Sequence, residues 1–180
     1  MLKPKYPQQA LLPKITDHTS LPAHAVELAR ISDRLNYRGL YIFLKIDRLL
    51  VIVKVYGPEI SGSKHYIIDQ FEAPLGVLPW FADALNEFIK PPVQGGLHAG
   101  AMTSADQNVE GDMLCIQRAM DAGNGQSGYV IVNRSRPNWQ TLQWHGYRAS
   151  EITFADNFLY DGGLLPLFTE LGEKYKKGVL

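Results

Sequence analysis

Aromatic rings and cations alternate along two stretches of this chain. In the first, Tyr41, Phe43 and Lys45 fall on one side of an extended strand, and Lys54 and Tyr56 fall on the matching side of the next. In the second, Arg134, Arg136, Trp139, Trp144 and Arg148 crowd into fifteen positions. Cations neutralise phosphates, and a ring stacked on an unpaired base contributes roughly 1–3 kcal/mol. These ten side chains are therefore candidate contacts for a single-stranded nucleic acid. The plainer alternative keeps the rings between two sheets or at a dimer interface.

Catalytic chemistry finds less to work with. His18, His24, His65, His98 and His145 are scattered, and none forms a metal-ligand spacing with Cys115 or a nearby carboxylate. No phosphate loop, dinucleotide fingerprint or nucleophile elbow is present. The glycines at 123, 125 and 128 precede a strand and so suit a hairpin turn. The expectation is no catalytic residue, no metal and no cofactor. An enzyme using His98 in the Gly-rich stretch 94–100 is the outlying alternative.

The elements that must carry these residues follow from periodicity. Residues 1–19 are Pro-rich and polar, an extended arm. Pro22 and the apolar positions 25, 28, 29, 31 and 35 predict a helix over about 20–36. Residues 39–57 are β-branched and aromatic and predict two strands turning at Asp47 and Arg48, with a third strand over 64–71. A helix is predicted over 75–90, with Pro79 in its first turn and Pro91 ending it. Residues 91–112 read as a Gly-rich, then acidic loop. Strands are expected over 113–120, 128–135, 141–148 and 151–158, and a last helix over 164–177. One face of the first hairpin is purely aliphatic (Leu40, Ile42, Leu44, Ile46, Val51, Val53, Val55). That face is expected beneath the helices, with the ring-and-lysine face outward.

Two segments 87 residues apart match closely: Phe71, Gly76, Leu78, Pro79 and Phe81 recur as Phe158, Gly163, Leu165, Pro166 and Phe168. The fold class expected is α+β, with antiparallel sheets carrying helices on one face and a duplicated β-β-β(-β)-α unit of pseudo-two-fold symmetry. The units are residues 37–90 and 113–178 within a single domain, 20–180. Strands followed by a Leu-Pro helix start, used twice, resemble the Whirly, Pur-alpha and positive-cofactor-four group of single-strand binders. The resemblance rests on the run 47–57 and the Leu78-Pro79-Trp80-Phe81 helix start. It implies nucleic-acid binding across the sheets, without catalysis.

Composition sets the remaining bounds. The chain has 180 residues, 46% apolar and 20% charged, with zero formal net charge. Charge is segregated, however: residues 1–64 hold ten Lys/Arg against five Asp/Glu, whereas 65–112 hold one against seven. Apolar runs are too short to cross a bilayer, no secretory leader is evident, and one cysteine suits a reducing compartment. The expectation is a cytoplasmic, non-enzymatic binder of single-stranded nucleic acid, DNA favoured, serving replication, recombination or transfer, away from membranes and as a homo-oligomer. A protein-binding adaptor, chaperone or immunity-type factor using the same aromatic face is the alternative.

Overall fold

Strand-forming residues dominate 39–56, and they form the centre of the first sheet in the computed structural model, which describes residues 3–36, 39–57, 66–139 and 146–180. β1 (Val26–Asp33), β2 (Gly39–Ile46), β3 (Leu49–Tyr56) and β4 (Ile67–Pro74) make an antiparallel sheet in sequential order. Asp47 takes φ 55° in the two-residue loop between β2 and β3. The second sheet repeats the plan with β5 (Gln107–Val109), β6 (Asp112–Ala119), β7 (Gly128–Pro137) and β8 (Ala149–Ala155). Helix α1 (Val77–Ile89) follows the first sheet. A short helix α2 (Asp156–Tyr160) and then α3 (Leu164–Lys176) follow the second. The protein is α+β, built as two copies of four strands and a long helix.

The repeat is kept most closely at the helices. α1 and α3 are both 13 residues long, and their first residues are 87 positions apart. Upstream the correspondence slips because α2 is inserted in the second copy, so Phe71 lies on β4 while Phe158 lies on α2. The two long helices cross at Gly172, where a Cβ would stand 3.0 Å from the Pro79 Cα. A side chain there would force the helices apart.

Two expectations for the elements are corrected, and a third falls mostly outside the described residues. The segment expected as a helix over 20–36 contains strand β1, paired with β2 from Val26 opposite Lys45 to Asp33 opposite Gly39. A register shift between Glu27 and Ala29 lets consecutive Leu28 and Ala29 both pack on the core, which imitates helical spacing. Within the expected loop 91–112, residues 107–109 form β5, joined to β6 by Glu110 and Gly111, both at positive φ as a tight hairpin requires. Of the strand expected over 141–148, residues 141–145 lie outside the described residues, and 146–148 are not in a strand.

The largest correction concerns the faces of the first sheet. Tyr41, Phe43, Leu50 and Ile52 point into the core shared with the helices. Tyr41 is 1% and Phe43 0% exposed. Their rings meet rings from the second unit: Tyr41 lies 5.3 Å from Phe158, Phe43 lies 5.4 Å edge-on to Phe168, and Phe168 lies 4.6 Å from Phe81. Such rings bury the largest apolar area available and gain from tilted and edge-on packing, so this face wins the interior. The aliphatic face is buried too, beneath Leu12 and Ile15 of the N-terminal arm and Leu21 just beyond it, which pack with Ile42, Leu44, Val51 and Val53.

Candidate functional site

The row of inner-face residues on β3 runs from the core outward: Leu50 and Ile52 are sealed, while Lys54 and Tyr56 reach the open end between the two sheets. There they line a cleft of about 250 Å³ with Asp69 of β4, Lys14 of the arm, Asp121, Asn138, Trp139, and Glu151 and Thr153 of β8. The Lys54 Nζ lies 5.2 Å from the Tyr41 ring centroid and 4.9 Å from that of Tyr56. Its cation therefore rests on aromatic faces rather than in bulk water, a favourable arrangement for a partly desolvated ammonium. Tyr56 and Trp139 are half-buried.

A second cleft, of about 440 Å³, lies on the outer face of the second sheet. It is lined by Lys3 and Lys5 of the arm, Val132 and Arg134 of β7, Gln117 of β6, Tyr147, Arg148, and Ala149 and Glu151 of β8. Glu151 lines both clefts, so they adjoin. Arg134 donates from Nε to Asp106 Oδ1 at 2.7 Å, while Lys5 and the Tyr6 hydroxyl donate to Asp106 Oδ2 at 2.8 and 2.6 Å. Burial alone would raise the Asp106 pKa, but these hydrogen bonds outweigh it and hold the group at about 2. The anion is thus fully matched by its own partners.

Between the clefts runs the arm. The Gln9 N–H donates to the Ser135 carbonyl (2.7 Å), the Gln8 side chain to the Arg134 carbonyl (2.9 Å), and Arg136 Nη1 to the Ala10 carbonyl (3.1 Å). The Leu12 N–H donates to Glu72 Oε1 and the Ile15 N–H to Gln70 Oε1. Beneath it lies a buried charge network. Arg136 donates to Asp112 at 2.7 Å and stands 3.5 Å from Glu72, while Asn133 bridges Asp112 and the Glu72 carbonyl. Burial pushes the Glu72 carboxyl up, against the opposing pull of the Leu12 N–H, Gln70 and Arg136. Burial likewise raises the Cys115 thiol to about 11, so Cys115 is inert as a nucleophile.

Of the ten residues singled out by sequence, five meet here: Lys54, Tyr56 and Trp139 in the first cleft, and Arg134 and Arg148 in the second. Tyr41 and Phe43 are corrected to core residues, unable to stack on a ligand. Arg136 is corrected to a structural cation, 6% exposed and committed to Asp112 and Glu72. Lys45 is half-buried near the other end of the hairpin, opposite Leu50, and lines neither cleft. Trp144 lies outside the described residues. Lys3, Lys5, Lys14, Asn138 and Tyr147 also line the clefts and are not among the ten. The signal for the lysines was in the arm itself, whose cations accompany Leu12 and Ile15, apolar side chains that need a surface to cover.

Among the described residues no group of three His, Cys, Asp or Glu is placed to hold a metal ion. No described helix is long and apolar enough to cross a membrane. No family model, curated protein or solved structure matches the chain.

Proposed function

We propose that this protein is a cytoplasmic, non-enzymatic binder of single-stranded nucleic acid, DNA in preference to RNA, and that the paired clefts are its binding surface. One observation carries the reading: candidate cations and rings from both units converge on two adjoining clefts, although the sheet face that carries part of that pattern turns inward. Tyr56 and Trp139 offer ring surface for unpaired bases, and Lys54, Arg134 and Arg148 offer charge for phosphates. Replication, recombination or transfer of DNA is the proposed setting, with the chain acting as a homo-oligomer.

The test is oligonucleotide binding by fluorescence anisotropy, with single- and double-stranded probes of DNA and RNA at two salt concentrations. Single-stranded binding should weaken steeply with salt. Trp139→Ala should remove roughly 1–3 kcal/mol of binding free energy, the worth of one stacked base. Absence of binding at low salt, or equal binding by Trp139→Ala, Arg148→Ala and the unaltered chain, would remove the proposal.

A further inference from the structure

Resting on the single-strand reading, we infer that the N-terminal arm is itself half of the binding site: Lys3 and Lys5 serve the outer cleft, Lys14 serves the inner one, and one strand spans both. The arm is more than a cover for the aliphatic face. Its middle is fixed to the sheets by backbone groups, through Gln9 on Ser135, Ala10 on Arg136 and Leu12 on Glu72. Its cations lie to either side of those anchors. Lys14 sits between Leu12 and Ile15, whose N–H groups are both held by side chains of β4, so its backbone is fixed while the ammonium reaches the cleft.

All three lysines are exposed, and the Lys5 side chain is 65% exposed although it reaches Asp106. Lys14, its backbone held through Leu12 and Ile15, has only side-chain freedom to lose when it trades water and counterions for phosphate. The two clefts adjoin at Glu151, so a strand spanning both must pass this carboxylate, and the arm's lysines lie on either side of it. Asp69, Asp121 and Glu151 bring negative charge to the inner cleft, which Lys14 and Lys54 offset only in part, so the net positive charge of the paired surface comes from the outer cleft, where Lys3 and Lys5 of the arm join Arg134 and Arg148.

The measurement is the slope of log affinity against log salt for a single-stranded oligonucleotide. Each phosphate contact on a single strand contributes about 0.7 to that slope. Lys3→Ala with Lys5→Ala, and separately Lys14→Ala, should each make the slope shallower. Together they should reduce it by about 1–2 and weaken binding roughly 10- to 100-fold at moderate salt. A control removing Lys174, Lys176 and Lys177 from α3 takes away the same charge elsewhere and should leave the slope unchanged. Circular dichroism and thermal melts check that every variant is folded. The inference fails if the arm variants match the helix control, or if only one of the two arm positions alters the slope, since a strand would then occupy one cleft. If the unaltered chain binds no oligonucleotide, the function itself falls and the inference with it.

Discussion

Lys54 is 7% exposed, and among the ten candidate residues it couples core packing most closely to the proposed binding surface. Its stem fills the end of the core while its ammonium rests between the Tyr41 and Tyr56 rings. Lys54→Met keeps the stem and removes the charge. Stability should fall by up to about 2 kcal/mol, the worth of a desolvated cation–π contact, while oligonucleotide affinity falls. Thermal melts together with anisotropy titrations check this, and unchanged affinity would take Lys54 out of the site. Glu72 lends itself to a pH test. Burial raises its carboxyl pKa in the folded state, so the folded form holds the proton more tightly than the unfolded chain does. Its contribution is therefore complete below the ordinary carboxylate range and is lost as pH rises through the raised value. Glu72→Gln should gain stability relative to the original as pH rises from about 4 to 8, read from urea midpoints at each pH. A difference independent of pH would contradict the account. Asp106 has the opposite sign. Held at about 2 by Lys5, Tyr6 and Arg134, it stabilises above the ordinary range near 3.8 and loses that effect as pH falls towards its folded value.

The arm and β1 show which elements could be read from sequence and which could not. The β2–β3 hairpin was legible, because unbroken β-branched residues flank Asp47 and Arg48. The long helices were legible as well: expected over 75–90 and 164–177 from their apolar stripes and early prolines, they run Val77–Ile89 and Leu164–Lys176. β1 was not, because its bulge between Glu27 and Ala29 places apolar residues at spacings a helix also uses. Only pairing with β2 decides between them, and pairing is a long-range fact. Alternation showed that the hairpin has two different faces, but not which one meets the helices. That choice depends on Phe154, Phe158 and Phe168, all from the other unit. The candidate site was about half legible for the same reason: its residue types were recognisable, whereas their inward or outward direction depends on distant partners. Arm docking is testable at this scale. Ile15 is 5% exposed against the aliphatic face, so Ile15→Ala should cost about 2–5 kcal/mol where the surroundings cannot collapse, and less if the arm simply lifts. Limited proteolysis should then cleave within residues 3–21 sooner than in the original chain.

At the scale of the whole molecule, duplication has not produced two independent bodies. One core cluster takes Phe43, Ile52, Phe71 and Phe81 from the first unit and Ile116, Ile131, Phe154 and Phe168 from the second. The long helices pack on each other through Gly172 and Pro79, so each unit presents to the other the surface that a lone copy would expose to water. The charge network crosses the same boundary, with Glu72 of β4 facing Arg136 of β7. Either half alone would leave several large rings and a buried carboxylate without partners. The two should therefore unfold together. Urea unfolding followed by tryptophan fluorescence and by far-ultraviolet circular dichroism should give coincident transitions with one midpoint. Fragments 3–90 and 91–180, made separately, should each lack a cooperative transition and recover one on mixing. Two separated midpoints, or a fragment that melts cooperatively alone, would mean that each unit closes its own core. Gly172→Leu probes the joint directly: it drives a side chain into the Pro79 backbone and should destabilise the chain by about 1–3 kcal/mol or more, as overpacking does. If the midpoints seen by both probes fall together, the helix crossing is part of the single cooperative core. If they split, the crossing is what joins two otherwise separable units.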